Sequence, residues 1–169
     1  VSDRDVEFGE YMDSRAVVMR RTAFLLSAGD WHRAEDLVQT TLAKIYVAWP
    51  RLNRDGAVDA YARKVMVRSA IDESRRAFRR RESSVDRLPE AGVVGPGVDD
   101  SVDVRRALAR LPAGQRAVVV LRYWEDLSVA ETARALGRSE GTVKSQASKG
   151  LAALRELLAQ GRVLVEEGR

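Results

Sequence analysis

The sequence predicts an all-α fold, two small helical domains joined by a flexible acidic linker, and three observations carry that prediction. Outside residues 83–103, apolar residues recur at spacings of three and four through most of the chain. Those stretches are bounded by helix punctuation, with Gly29 and Gly137 as stops and Asp30, Ser128 and Ser139 as caps. Residues 83–103, SSVDRLPEAGVVGPGVDDSVD, hold two prolines, three glycines and five acids without a sustained helical period, which is the composition of a linker. The expected division is residues 1–82, a linker at 83–103, residues 104–160 and a tail at 161–169 that frays.

The first helix starts near Val6 and carries Phe8, Tyr11, Met12, Val17, Val18, Met19, Phe24, Leu25 and Leu26 up to Gly29. The second, capped by Asp30, runs from Trp31 to about Trp49 with Leu37, Val38, Leu42, Ile45, Tyr46 and Trp49 on one side, and Pro50 is expected to close it. A third begins around Val58 and passes Ala77, with Tyr61, Val65, Ile71 and Phe78 inward. Its remaining surface bears seven arginines and one lysine between Arg63 and Arg81. A soluble basic helix is the plain reading; a surface that tracks phosphates, with interleaved aromatics, is the sharper one.

Beyond the linker, residues 104–111 make a short helix broken by Pro112. Residues 113–123 follow as a helix that packs Leu111, Val118, Val119 and Leu121 against what comes next; three consecutive valines have strand propensity, but their neighbours favour helix. Ser128 with Glu131 is a capping box, so a helix starts there and ends at Gly137. Ser139 caps the last helix, which runs to about Leu158. Ala133, Gly137 and Val143 have the spacing of a helix-turn-helix: a small residue for close approach, a glycine at the corner, an apolar plug. The second helix sets Lys144, Ser145, Ser148, Lys149 and Arg155 opposite Val143, Ala147, Leu151 and Leu154. An ordinary helical hairpin is the alternative, but the polar second helix points to DNA.

Charge supports that reading. The net +4 resolves into −2 over residues 1–60, +5 over 61–82, −4 over 83–104 and +5 over 105–169, so two basic blocks flank an acidic one. There is no cysteine, hence no disulfide framework and no thiolate metal site. The single histidine, His32, reads as a helix-surface residue. No nucleophile, base and orienter stand together and no glycine loop cradles phosphate, so neither an enzyme nor a cofactor or metal is expected. No apolar run approaches membrane-spanning length and no signal-peptide pattern opens the chain; a cytoplasmic protein without a small-molecule substrate is expected.

With these motifs in hand, the chain resembles bacterial RNA polymerase sigma factors of the sigma-70 family, and within it the small extracytoplasmic-function group that keeps the second and fourth conserved regions. AEDLVQTTLAKIYVAW (residues 34–49) is similar to the helix that docks on the clamp of the polymerase's largest subunit. YARKVMVRSAIDESRRAFRRR (61–81) is similar to the element that melts and reads the −10 promoter element, within a three-helix region 2 domain. Residues 111–155 are similar to the region 4 helix-turn-helix domain that reads the −35 element.

The resemblance implies that Glu35, Asp36 and Gln39 lie on the polymerase-binding face. It implies that the loop at residues 53–59, including Asn53, Arg54 and Asp55, holds an unstacked base of the non-template strand. Arg63, Lys64, Arg68 and Arg75 would follow phosphates, and Tyr61 is either a stacking platform or a core residue. At the −35 element, Ser139, Thr142, Lys144, Ser145, Ser148 and Lys149 would face the major groove, Gln146 would read adenine if turned toward the groove, and Arg122 and Arg138 would set register on phosphates. Many relatives carry asparagine in place of Arg68, a departure that bears on base recognition at the −10 element, and arginine in place of Gln146, which implies altered −35 specificity. The implied partners are core RNA polymerase, through the clamp and flap-type contacts, promoter DNA that is duplex at −35 and single-stranded at −10, and an anti-sigma factor. The acidic linker would thread the polymerase's basic channel, held open to span about 17 base pairs, roughly 58 Å at 3.4 Å each. The rival from another class is a stand-alone helix-turn-helix repressor or activator with a helical N-terminal interaction domain.

Overall fold

The computed structural model describes residues 2–83 and 100–167, in which seven α-helices and one π-helical turn follow one another without a strand. They are α1 (Asp3–Leu26), α2 (Trp31–Asp55), α3 (Val58–Ser83), α4 (Asp100–Ala109), α5 (Ala113–Val119), the π turn (Val120–Trp124), α6 (Val129–Leu136) and α7 (Glu140–Glu167).

Most helix starts come from local side-chain chemistry. Ser2 and Asp5 form a capping box, so α1 begins before the first apolar repeat. Asp30 accepts from the Arg33 amide at 3.1 Å and Ser139 from the Thr142 amide at 3.1 Å, as the sequence indicates for α2 and α7. Ser128 and Glu131 close the capping box of α6, and Gly137 ends it in the left-handed conformation at φ 63°.

Pro50 does not close α2, which continues to Asp55 and ends at Gly56. A proline inside a helix removes the amide that would serve the carbonyl four residues back, here that of Tyr46. The Arg4 guanidinium donates to that carbonyl and lies 4.0 Å from the centre of the Tyr46 ring. A contact from α1 thus supplies what the proline takes away. The same two helices are locked by Phe8 against Tyr46 and Trp49 and by Tyr11 against Trp49, at ring separations of 5.1 to 5.4 Å.

On α3 the inward line is Val58, Ala62, Met66, Ala70 and Ala77, joined by Val65 and Val67. Small residues there allow α3 to lie close to α2. Phe78, expected inward, is 61% exposed, one position out of phase with buried Ala77. The predicted linker is also shorter than expected, since Ser83 belongs to α3 and Asp100 opens α4. Asp103 sits in the first turn of α4, where negative charge favours a helix start. The rest of the linker, residues 84–99, lies outside the described residues. At the other end α7 continues to Glu167, past the expected stop near Leu158 and through part of the predicted tail.

Three clusters make the core. Val118, Ala133, Val143 and Ala147 hold the helix-turn-helix together, and Leu108, Leu111, Val119 and Leu154 join α4 and α5 to α7. Leu121, expected in that group, belongs instead to the largest cluster, which joins the two halves of the chain. There Ala117, Val120, Leu121, Leu127 and Ala135 pack with Met19, Ala23, Leu26, Met66, Val67 and Ala70. The π turn produces this placement: Leu121 is fully buried while Tyr123 and Trp124 are each about half exposed.

Gly150, in the middle of α7, lets that helix rest on α5. A Cβ there would meet Val119 Cγ2 at 2.8 Å and the Gln115 carbonyl oxygen at 3.6 Å. Val119 is buried and β-branched, so its methyl has little room to give. Gly150→Ala is therefore expected to destabilise the protein by about 1 kcal/mol, overpacking outweighing the gain in helix propensity. Urea unfolding checks this, and a raised midpoint would show that the methyl finds room.

Candidate nucleic-acid interface

The start of α7 presents a polar face without covering. Arg138, Ser139, Thr142, Lys144, Ser145, Ser148 and Lys149 are all exposed, opposite buried Val143, Ala147 and Leu154. Gln146 borders the buried stripe and is half-buried. Ser139 and Thr142 bond to each other at 2.9 Å, so their hydroxyls serve the helix start as well as the surface. Arg122 stands apart on the π turn, donating to the Leu127 carbonyl with its guanidinium 5.5 Å from the Tyr123 ring centre. It braces the turn into α6.

The second basic surface is α3. Lys64, Arg68 and Arg75 are exposed and Arg63 is half-buried. Arg76 and Arg80 pair with Glu73 at 3.6 and 2.9 Å. Arg68 has a particular position: its Nε donates to the Ala135 carbonyl at 3.2 Å, one of the carbonyls that α6 leaves without a helix donor. A Cβ at Gly137 would come within 2.7 Å of the same guanidinium. Arg63 also faces α6, where hydrogen bonds from Ser128, backbone first, hold the Glu131 carboxyl below its ordinary range and the Arg63 charge adds to the effect. Tyr61 is half-buried and lines a shallow groove of ≈ 280 Å³ with Ala43, Lys44, Val47 and Ala48. Sequence reasoning missed exposed Phe78; the flanking Arg75, Arg76, Arg79, Arg80 and Arg81 were the signal that this turn meets solvent.

The segment expected as a loop at 53–59 is mostly helical: Asn53, Arg54 and Asp55 form the last turn of α2, and Val58 opens α3. Asn53 donates to Glu7 at 2.9 Å, which turns its amide toward α1, and Arg54 pairs with Asp55 at 3.5 Å. Asp59 accepts from Arg15 at 2.6 Å and from Tyr11 at 3.2 Å. Burial pushes the Tyr11 hydroxyl well above its usual pKa, and the Asp59 charge adds to it.

On α2, Asp36 and Gln39 are exposed three residues apart and so share one face. Glu35 is half-buried and pairs with Arg20 of α1 at 3.2 Å. It orients α2 on α1 beside that face. Among the described residues no helix is long and apolar enough to cross a membrane.

Comparison with known proteins gives a consistent result for both halves. Residues 13–81 match the family described as Sigma-70 region 2, and residues 101–154 match Sigma-70, region 4. The chain is 41% identical over 160 residues to the RNA polymerase sigma-E factor of Streptomyces avermitilis, covering 90% of this chain and 86% of that protein. It is 36% identical over 158 residues to the ECF RNA polymerase sigma factor SigL of Mycobacterium tuberculosis, covering 88% and 86%. A solved structure of the sigma factor RpoE in complex with the anti-sigma factor NepR from Bartonella quintana superposes with a TM-score of 0.76 at 27% identity, covering 90% of this chain and 97% of that one.

Proposed function

Because the chain belongs to the sigma-70 family of bacterial RNA polymerase sigma factors, in its extracytoplasmic-function group, we propose that it is a dissociable initiation subunit of RNA polymerase. It binds core polymerase, directs it to specific promoters and promotes opening of the DNA. The chain supplies recognition and strand separation, and the polymerase supplies the catalysis. One observation carries the reading: a single chain combines an uncovered recognition-helix face around Lys144, Ser145, Ser148 and Lys149 with an uncovered Asp36–Gln39 face on the other half.

In this reading Glu35, Asp36 and Gln39 form the clamp-binding side. Arg63, Lys64, Arg68 and Arg75 follow the strands at the −10 element, with Tyr61 and residues 53–55 beside them. The start of α7, with Arg138 and Arg122, reads the −35 element. The protein acts in the bacterial cytoplasm, where polymerase and promoters are. An anti-sigma factor is a fitting regulator, since the Bartonella quintana neighbour is bound to one.

The test is transcription in vitro from a library of genomic promoters, with core polymerase and with or without this chain. Promoter-dependent transcripts are expected only when the chain is present. Tight binding to a palindromic operator without polymerase, and no transcript, would instead identify a stand-alone regulator.

A further inference from the structure

Near the end of α3 the Phe78 ring is 61% exposed beside buried Ala77. A lone exposed apolar side chain is ordinary, but the surroundings of this one are not. Arg75, Arg76, Arg79, Arg80 and Arg81 flank it, all exposed. Glu73 engages Arg76 and Arg80. Arg75 and Arg81 each stand three residues from the ring, so the three side chains are neighbours on the helix surface. Phe78 also continues the line of Lys64, Arg68 and Arg75, at spacings of four, seven and three that keep to one side of a helix. A ring set between cations complements a partner that is apolar within and anionic along its edges. Duplex DNA is built that way, with stacked bases between two rows of phosphates. A protein would need an apolar socket with an acidic rim, placed on a helix whose exposed lysine and arginines already lead toward DNA.

Building on the sigma-factor reading, we propose that Phe78 is a wedge against one base step of the duplex just upstream of the −10 element, with Arg75 and Arg81 on the flanking phosphates. The direction of the chain sets the side. In that reading Tyr61 and residues 53–55 lie at the −10 strand, and the chain leaves α3 at Ser83 on its way to the upstream reader. Tyr61 to Phe78 is about 25 Å of helix at 1.5 Å per residue, a reach of at most about seven base pairs. An apolar wedge partly unstacks the step it enters and bends the duplex. Pyrimidine–purine steps yield to this most readily. Phe78 thereby gives the chain a preference for sequence in the spacer, read through deformability instead of hydrogen bonds to bases.

The test uses a promoter on which core polymerase with this chain initiates. A single TA step is moved one base pair at a time through the duplex upstream of the −10 element, at constant spacer length and with no other pyrimidine–purine step there. Transcription in vitro is expected to peak at one position within about seven base pairs of the element, roughly ten-fold above the others. Phe78→Ala should flatten the profile, and Phe78→Leu, which keeps an apolar wedge, should retain part of it. 2-Aminopurine in the preferred step should brighten with the parent chain and core polymerase and stay quenched with Phe78→Ala. The ring is exposed, so its removal opens no cavity, and both variants should bind core polymerase as the parent does. A flat profile for the parent would overturn the wedge, as would a peak that survives in Phe78→Ala or a probe that stays quenched with the parent. So would a Phe78→Ala loss that tracks weaker binding to core polymerase, which would place the ring on a protein surface. A parent chain that gives no transcript from any promoter would count instead against the sigma-factor reading.

Discussion

Replacing Arg116 with alanine is expected to lower the free energy of unfolding by about 3 kcal/mol, because it strands several buried carbonyls at once. Arg116 is only 7% exposed. Its Nε donates to Leu108 at 3.0 Å, its Nη1 to Leu26 at 3.3 Å, and its Nη2 to Ala109 at 3.1 Å and Leu111 at 2.8 Å. Leu26 ends α1, and Leu108 and Ala109 end α4, where backbone carbonyls have no amide of their own helix to accept from. One guanidinium therefore closes two helix ends and ties the halves of the chain together. Burial pushes its pKa down, with the Arg33 charge adding to the effect, but a guanidinium stays protonated throughout the accessible range. Arg116→Lys keeps the charge and loses the fork, so it should fall between the parent and the alanine variant. In a thermal melt the alanine variant should unfold about 6 to 12 °C lower. An unchanged midpoint would show that water serves the four carbonyls equally well.

Features set by neighbours in the chain are legible in the sequence itself. Asp30, Ser139, the Ser128–Glu131 capping box and the Gly137 corner each act within a few residues, and each works as the sequence indicates. The Lys144–Lys149 face is legible for the same reason, since a helical period alone separates it from Val143 and Ala147. What stays hidden depends on partners far away in sequence. Pro50 fails to stop α2 because Arg4 serves the orphaned Tyr46 carbonyl. Asn53 faces α1 because Glu7 is there to accept its amide. Leu121 enters the first half's core because a π turn rotates it away from the helix-turn-helix. Arg116 reads in sequence as one more surface arginine of a basic block, and its burial depends on the ends of α1 and α4 converging on it. Phe78 is lost to a shift of one residue in phase, beyond what periodicity resolves at a helix end.

Lys144→Ala is expected to weaken use of the protein's own promoters by about 1 to 3 kcal/mol, roughly 5- to 150-fold in promoter-dependent transcription, if the lysine reads guanine edges. Lys144 is exposed in the second turn of α7, beside Ser145 and across from buried Val143 and Ala147. The core therefore fixes which way it points, and truncating it leaves no buried group unmet. Transcription rather than stability should respond. A base contact and a phosphate contact differ in what else changes. If Lys144 reads a base, altering one −35 base pair should erase the difference between parent and variant, while the remaining promoter positions keep their effects. If it only neutralises a phosphate, the loss should be similar on every promoter and the salt slope of binding should fall by about one. Arg138→Ala supplies the comparison, since an exposed arginine at the turn is suited to the phosphate role. Equal, promoter-independent losses in the two variants would move Lys144 from the reading set to the positioning set. Sequence preference at −35 would then rest on Ser145, Gln146, Ser148 and Lys149.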